Sequence, residues 1–360
     1  MPILSRRFPC PVLLDFETLA IYSVVVIAVS AIICYLGTTY LISYLPKKKM
    51  TVDDYHKVGR PQIPRPAGPA IIAAIVASEL VLFAFTGSFA VLGLSIVTLV
   101  SGAIGIVDDL KTLGGVVKPA LLLLGGVPLV ALQFLFPSEM VYDHHLYLPL
   151  FSHPTDIPII YIFLIIVAIP VVTNTINTID VLNGVMSATI LIASVPVGFD
   201  IVLRIIVGKE NPVILVALFP VVATTLVFYI FHKYPSKIFP GDSGAMALGA
   251  AYGTMAIIGG AEVVAVIAIL PAIMNSFFFL SSMRRLVEHR QIKAQPTIMF
   301  PDTSMISTKD PQAPVTLMRI LVGTKAKTEK QIGREIILLD LFCAFLAVIT
   351  AIMTWVIRIG

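Results

Sequence analysis

Two adjacent carboxylates, Asp108 and Asp109, follow directly on an apolar run over residues 89–107. Acidic residues are scarce in this chain, with 21 among 360 residues, whereas 58% of the residues are hydrophobic. Since a charge inside hydrocarbon is strongly unfavourable, such a pair indicates either a solvated helix end or a polar site at a membrane boundary. The other polar segments bear on that choice.

A row of polar side chains follows a later apolar run. Asn174, Asn177 and Asp180 recur every three residues, and Asn183 comes next. If a helix continues through this segment, the spacing places the first three near one face at the end of the helix. Hydrogen bonds between helices would account for one or two of these groups, whereas four within ten positions favour a ligand site.

A third carboxylate, Asp242, lies in the segment Gly241-Asp242-Ser243-Gly244, just before another apolar stretch. This position is typical of a helix N-cap. Together with the aspartate pair and the asparagine row, however, it completes a set of hard oxygen ligands suited to Mg²⁺, with Mn²⁺ as an alternative. Mg²⁺ in turn indicates phosphate chemistry.

Basic side chains occupy two of the loops. They could neutralise an anionic substrate or phospholipid head groups, and attraction to the membrane surface accounts for most of them. They are Lys57, Arg60 and Arg65 in the first loop, and Arg284, Arg285, His289, Arg290 and Lys293 in the last.

Two further features stand apart from this set. Asp143-His144-His145 has the composition of a metal site but falls in a predicted outer loop, and we interpret it as a solvated turn. Glu79 falls in the middle of a predicted membrane span. Either a buried hydrogen bond or a role in a pathway for the lipid phosphate would account for a carboxyl group there.

The elements that must position these residues are membrane helices. Mean hydropathy is +0.96, 13% of the residues are charged, and uncharged stretches long enough to cross about 30 Å of hydrocarbon recur throughout. Because backbone groups in lipid must be satisfied within each segment, we predict an all-α integral membrane protein. It forms a single polytopic domain, 1–360, with a long loop at 284–335. The ten predicted spans are 18–45, 67–86, 89–107, 119–137, 157–176, 183–203, 212–231, 243–260, 262–283 and 336–357.

The basic residues predict the orientation, because Lys and Arg in short loops stay on the cytoplasmic side. One alternating set of loops holds 20 of the 25 Lys and Arg residues. This places the polar segments in the cytoplasm and both termini outside. The loops in that set are 46–66, 108–118, 177–182, 232–242 and 284–335.

Five motifs occur in a fixed order along the chain: Lys57-x-x-Arg60 with Ile63-Pro64, Asp108-Asp109 with Lys118, Asn174-x-x-Asn177 with Asn183-Gly184, Tyr234-Pro235-Ser236-Lys237 with Gly241-Asp242, and His289-Arg290. In this order they resemble the motifs of the polyprenyl-phosphate N-acetylhexosamine-1-phosphate transferases, glycosyltransferase family 4. The likeness is greater to the dolichyl-phosphate N-acetylglucosamine-phosphotransferase branch of archaea and eukaryotes. The resemblance implies transfer of N-acetylglucosamine-1-phosphate, or of a related sugar phosphate, from a UDP-sugar to a polyprenyl or dolichyl phosphate, with release of UMP.

The resemblance also implies residue roles. Lys118 would contact the pyrophosphate, Asn183 the uracil, and His289-Arg290 the amino sugar. For the attack on phosphorus we favour a direct displacement with Asp108 near the acceptor, and a covalent aspartyl intermediate is the alternative. In full, the implied catalytic residues are Asp108, Asp109, Lys118 and Asp242, the implied substrate-binding residues are Lys57, Arg60, Asn174, Asn183, His289 and Arg290, and the implied Mg²⁺ ligands are Asn177 and Asp242.

The chain departs from the family pattern in the last loop. The bacterial branch that takes a muramyl-pentapeptide sugar carries a His-rich motif there, whereas this chain has only His289, which disfavours UDP-MurNAc-pentapeptide as the donor. Glu288 stands where some relatives have a basic residue, and Val181 replaces a common glycine. A membrane transporter is the alternative from another class.

The implied partners are UDP-N-acetylglucosamine, a polyprenyl or dolichyl phosphate and membrane lipids, with a homodimer expected by analogy and no nucleic acid. The implied location is the plasma membrane of a prokaryote, with an archaeon favoured and the site facing the cytoplasm, or the endoplasmic reticulum membrane of a eukaryote.

Overall fold

The chain folds as a bundle of membrane helices. The structure, a computed structural model, describes residues 15–139, 141–151, 153–284, 292 and 294–359. In this part of the chain eight helices are long and apolar enough to cross a membrane, and a bent helix pair would make a ninth. The prediction of an all-α integral membrane protein is confirmed, and the orientation of the termini stays a prediction.

The described helices follow the predicted spans closely. They are α1 Phe16–Tyr44, α2 Gly68–Thr86, α3 Phe89–Leu110, α4 Val117–Leu122, α5 Val127–Leu135, α6 Pro158–Ile179, α7 Val185–Ile206, α8 Pro212–His232, α9 Gly241–Ile258, α10 Glu262–Ala268, α11 Leu270–Met283, α12 Leu317–Leu321 and α13 Glu329–Ile359.

Short antiparallel strands shape the loops. They are β1 Thr51–Asp53 with β2 Gln62–Pro64, β3 His145–Leu146 with β4 Thr155–Asp156, and β5 Thr297–Met299 with β6 Ser304–Ser307, which also pairs with β7 Lys327–Thr328.

Three predicted spans differ from the observed helices. The span 119–137 is interrupted between α4 and α5, where Gly126 lies so close to α6 that a Cβ atom would meet Ile166 Cα at 2.8 Å. The span 262–283 is bent by 69° between α10 and α11, and Pro271, which has no backbone N–H to donate, follows the break. The last helix, α13, begins at Glu329 rather than at 336.

Helix α9, the predicted span 243–260, is the centre of the bundle. Each of its 18 residues is buried, and it packs against α3 and α6. Its glycines and Asp242 make it less apolar than the eight helices above, so its crossing of the membrane stays a prediction. Neighbouring helices approach its first turn closely, because a Cβ atom on Gly68 or Gly105 would lie within 2.4 Å of Ser243. This contact fixes the position of Asp242.

Candidate active site

Asp108 and Asp109 lie in the last turn of α3, not in a loop as the predicted boundary at residue 107 implied, because the helix continues to Leu110. Their side chains are 0% and 3% exposed. Successive residues on a helix point in different directions, so the two carboxylates have different surroundings and different hydrogen-bond partners.

Asp109 caps the start of α9. Its Oδ1 accepts a hydrogen bond from the backbone N–H of Asp242 at 2.9 Å, and its Oδ2 accepts from Ser243 N at 2.9 Å and Ser243 Oγ at 2.6 Å. Arg65 donates to the same carboxylate at 3.1 Å. A carboxylate in this place satisfies the first backbone donors of the helix and complements its dipole. The expectation of a cap at Asp242 is wrong, because Asp242 lies in the first turn of α9 and Asp109 accepts the hydrogen bonds of its first N–H groups.

Asp242 is instead the centre of a charged cluster. Lys118 Nζ donates to Asp242 Oδ1 at 2.6 Å and to Asp108 Oδ2 at 2.8 Å. Asn177 Nδ2 donates to Asp242 Oδ1 at 3.0 Å, and Arg65 donates to Asp242 Oδ2. Residues from α4, α6 and the first loop thus meet at the carboxylate of Asp242 on α9.

Asp108 lies behind Lys118. Besides Lys118, its carboxylate accepts a hydrogen bond from Leu113 N at 2.6 Å, which closes the turn after α3. Lys118 and Asp242 line a cavity of about 1120 Å³, and Asp108 is not among the residues that line it. Asp108 therefore affects the cavity indirectly, through its hydrogen bond with Lys118.

The polar row on α6 faces the same cavity. Asn174, Asn177 and Asp180 all line it, which is the shared face that their spacing predicts. The helix ends at Ile179, so Asp180 follows its last turn. Burial, reinforced by the nearby carboxylates of Asp242 and Asp109, raises the pKa of Asp180 to about 7 against the opposing effect of Arg65.

A second cluster surrounds Asn183. Its Oδ1 accepts from Lys57 Nζ at 3.0 Å and from Ser236 N at 2.6 Å. Glu329 Oε1 accepts from both nitrogens of Asn183, at 2.9 Å from the backbone N and 2.6 Å from Nδ2. Lys57 also pairs with Asp54. The amide of Asn183 is therefore held in one orientation.

The cavity has one polar end and one apolar wall. Both clusters contribute to its polar end. The apolar wall is formed by side chains of α4 and the turn after it, of α6 and of α11, among them Pro119, Leu123, Val167, Val171, Phe277 and Leu280. A cavity of this kind suits a ligand with a charged head and an apolar tail.

Three predicted site residues have no described contact with the cavity, whereas Asp108, Asp109 and Lys57 do not line it but form hydrogen bonds with residues that do. Arg60 is exposed, with its guanidinium 5.4 Å from the ring centre of Tyr55. His289 and Arg290 lie outside the described residues. The roles predicted for all three stay predictions.

Sequence reasoning missed three residues of the site. Arg65 contacts Asp109 and Asp242, although the basic residues of its loop were interpreted mainly as binding the membrane surface. Asp54 and Glu329 hold the Lys57 and Asn183 side chains. Glu329 was expected in the long loop. An acidic residue is typical of the first turn of a helix, and this pattern could have placed Glu329 at the start of α13.

The donor set fits a hard divalent cation. Asp242 and Asn177 offer carboxylate and amide oxygens, their side chains are in direct contact, and both line the cavity. The two basic groups on Asp242, from Lys118 and Arg65, show that this carboxylate attracts positive charge from several directions. A bound cation would compete with them for the same oxygens.

The fold and the site together define a multi-pass membrane protein with a charged cavity where α3 and α6 end and α4 and α9 begin. Residues 91–260 match the family model described as glycosyl transferase family 4. That match includes Asp108, Lys118, Asn177 and Asp242 and covers just under half of the chain, so the region is similar to this family.

Curated relatives carry names from the same chemistry. The chain is 28% identical over 239 residues to a provisionally named UDP-N-acetylglucosamine–dolichyl-phosphate N-acetylglucosaminephosphotransferase of Saccharolobus solfataricus, covering 65% of this chain and 70% of the relative. It is 31% identical over 172 residues to a phospho-N-acetylmuramoyl-pentapeptide-transferase of Bacillus cytotoxicus and 32% identical over 184 residues to one of Anoxybacillus flavithermus. These alignments cover 46% and 48% of this chain, and 51% and 52% of the bacterial relatives.

Proposed function

We propose that this protein transfers N-acetylglucosamine-1-phosphate, or a closely related N-acetylhexosamine-1-phosphate, from a UDP-sugar to a polyprenyl or dolichyl phosphate. The products are a polyprenyl-diphosphate sugar and UMP, and the reaction is a first membrane step of glycan assembly. The observation that carries the proposal is the Lys118–Asp242 pair at the polar end of a cavity with an apolar wall. The family match and the names of the relatives support it.

The cavity suits both substrates at once. A nucleotide sugar is too polar to enter lipid, whereas a polyprenyl phosphate is held in the membrane by its tail. Lys57, Arg65 and Lys118 lie around the polar end and can balance the charge of two phosphate-bearing substrates. The apolar side chains of α4, α6 and α11 offer a surface for the first isoprene units.

The reaction balances as a single displacement. An oxygen of the lipid phosphate forms a bond to the β-phosphorus of the UDP-sugar, the bond from that phosphorus to the α–β bridging oxygen breaks, and UMP leaves with the electron pair. No base is required, since a phosphate monoester with a second pKa near 6 is mostly dianionic at neutral pH. Positioning and charge neutralisation then supply the rate.

Lys118 is the residue best placed to act on the transferring group. Its ammonium lines the cavity and is held from behind by Asp108. A covalent aspartyl intermediate would need a carboxylate that reaches the substrate, and Asp108 is fully buried behind the lysine. The geometry therefore supports direct attack by the lipid phosphate, with Asp108 positioning Lys118.

Asp242 and Asn177 are the residues that would hold Mg²⁺, with Mn²⁺ as the alternative. The ion would supply Lewis-acid stabilisation of the pyrophosphate charge. Asp109 would support this arrangement without binding the metal, because its carboxylate is committed to the backbone of Asp242 and Ser243.

The donor sugar and the acceptor lipid are the finer parts of the proposal. N-acetylglucosamine and a dolichyl phosphate follow the name of the archaeal relative, and UDP-MurNAc-pentapeptide follows the names of the bacterial ones. The single histidine of the last loop favours the first. The cytoplasmic site, the homodimer and the particular membrane stay predictions.

The test is UMP release by purified protein in detergent. UDP-N-acetylglucosamine, dolichyl phosphate and MgCl₂ are supplied together and then with each left out in turn, and parallel arms use UDP-MurNAc-pentapeptide and undecaprenyl phosphate. We expect UMP only when nucleotide sugar, lipid phosphate and metal are all present. UMP formation independent of the lipid would overturn the proposal. Solute uptake by proteoliposomes without UMP would support the transporter alternative.

A further inference from the structure

The loop between α5 and α6 carries a compact group of imidazoles and carboxylates at the other end of α6 from the candidate active site. The 22 residues of α6 separate the two regions by about 33 Å. The strands β3 and β4 pair in this loop, with His145 opposite Asp156. The pairing brings Asp156 next to the tripeptide Asp143-His144-His145, which lies eleven or more positions earlier in the chain.

Three of the four side chains present donor atoms to a common point, and the fourth, Asp156, contacts one of them. Asp143, His144 and His145 each offer a nitrogen or oxygen within 4.8 Å of the other two. His144 Nε2 lies 3.3 Å from Asp156 Oδ1, and His145 Nδ1 lies 2.6 Å from Asp143 Oδ1. The two imidazole rings stack with centroids 4.6 Å apart.

The tripeptide is also tied to the helix bundle, contrary to the expectation of a solvated turn. The Asp143 side chain is 13% exposed, and its Oδ2 accepts from Arg204 Nη2 at 3.4 Å. Arg204 belongs to α7, is fully buried, and also donates to the carbonyl oxygen of Gly260 at 3.2 Å. The group is therefore part of the folded structure.

Two further carboxyl groups lie near Arg204. Glu210 Oε2 lies 3.8 Å from Arg204 Nε, and Glu262 accepts a hydrogen bond from Tyr161 in the same region. Asp143 is therefore one of three carboxyl groups near this guanidinium.

We propose that Asp143, His144, His145 and Asp156 form a structural binding site for Zn²⁺. Two imidazoles and two carboxylates are a four-coordinate nitrogen and oxygen set of the kind that zinc accepts at about 2.0–2.2 Å. Small side-chain rotations bring the three donors that lie within 4.8 Å of one another to that geometry, and Asp156 supplies the fourth from its position beside His144. The ion links the two strands of the β3–β4 hairpin. Through Asp143 and Arg204 it also connects the hairpin to the end of α7.

The described residues contain one other group that could hold a metal, made of Asp54, His56 and Glu329. It lies beside Lys57, whose ammonium already pairs with Asp54. It offers one imidazole where the hairpin offers two. We therefore assign zinc to the hairpin, and the second group supplies a control.

The experiment counts zinc bound to the full-length protein, purified in detergent without a polyhistidine tag. The protein is stripped with EDTA and dialysed against micromolar ZnCl₂ in excess MgCl₂, which occupies sites made of oxygen ligands alone. Bound zinc is measured by mass spectrometry, and Tm is measured with and without zinc. The variants are H144A/H145A, D156A, H153A and H56A. His153 is an exposed histidine of the same loop and serves as the matched control.

We expect one zinc per chain in the wild type, in H153A and in H56A, with a Tm that rises on adding zinc. The double variant should bind none, and D156A should bind at least tenfold more weakly. Because the Asp156 side chain is 60% exposed, D156A should fold whether or not the double variant does. No zinc on the wild type, unchanged zinc on D156A, or a loss confined to H56A would each overturn the proposal.

Discussion

Lys118 Nζ lies 2.6 Å from Asp242 Oδ1, although the two residues are 124 positions apart in the chain. The contact joins the first turn of α4 to the first turn of α9, and both residues are nearly buried. An ion pair in such a place is costly to desolvate, and here it opens on a cavity that can receive an anion. The pair is the part of the site where sequence and structure agree most directly.

Replacing Lys118 by methionine should lower kcat for UMP release by about 100-fold or more, because a positioned charge on the transferring group is lost. The matched control is Lys111→Met, which removes an exposed lysine seven positions earlier. The control should keep near wild-type activity. Equal losses in both variants would show that net charge rather than the position of Lys118 matters.

Asp109 should behave as a structural residue. Asp109→Ala leaves the first backbone N–H groups of α9 without their acceptor and should lower the free energy of unfolding by about 1–3 kcal/mol. Thermal unfolding in detergent measures the effect. Asp15→Ala, which removes the exposed cap of α1, is the comparison and should have a smaller effect. An unchanged Tm for Asp109→Ala together with complete loss of activity would instead make Asp109 catalytic.

The helices could be predicted from the sequence because hydropathy is a local property. The limits of α2, α7 and α8 agree with the predicted spans to within a few residues. The break between α4 and α5 could not be predicted in this way, since it depends on the approach of α6 to Gly126. Close packing against another helix leaves no signal in the hydropathy of the segment itself.

The site could be predicted only in part for a similar reason. The spacing of Asn174 and Asn177 indicated a shared face, because helical periodicity is local. The role of Asp109 could not be read in the same way, because the N–H groups that it accepts from are more than 130 positions away. Arg65 was missed because attraction to the membrane surface is a sufficient general explanation for a basic residue in a loop that is predicted to be cytoplasmic, so a specific contact was not expected.

Glu329 should act by positioning Asn183. It accepts hydrogen bonds from both nitrogens of Asn183, so the amide oxygen is directed towards Lys57 and Ser236. Glu329→Ala frees the amide to rotate and should raise KM for the UDP-sugar about tenfold with little change in kcat, the pattern for loss of uniform binding. Glu335→Ala on the same helix is the control. A fall in kcat without a change in KM would contradict the positioning role.

The pKa of Asp180, which burial raises to about 7, predicts a pH-dependent cost to stability. An unfolded aspartate has a pKa near 3.9. Between about pH 4 and pH 7 the unfolded chain releases the Asp180 proton more readily than the folded chain, so rising pH destabilises the fold, by up to about 4 kcal/mol. Asp180→Asn cannot ionise and escapes this cost. Its Tm relative to wild type should therefore increase from pH 5 to pH 8.

Asp302 supplies a control of the opposite sign. Hydrogen bonds from Ser304 lower the pKa of this exposed carboxyl, so its ionisation stabilises the folded state as pH rises. Asp302→Asn should accordingly have a Tm below that of wild type by an amount that stays constant from pH 5 to pH 8 and shrinks only below about pH 4. A Tm difference for Asp180→Asn that is flat with pH would mean that the Asp180 carboxyl keeps an ordinary pKa. In that case Arg65 would have to offset the cost of its burial.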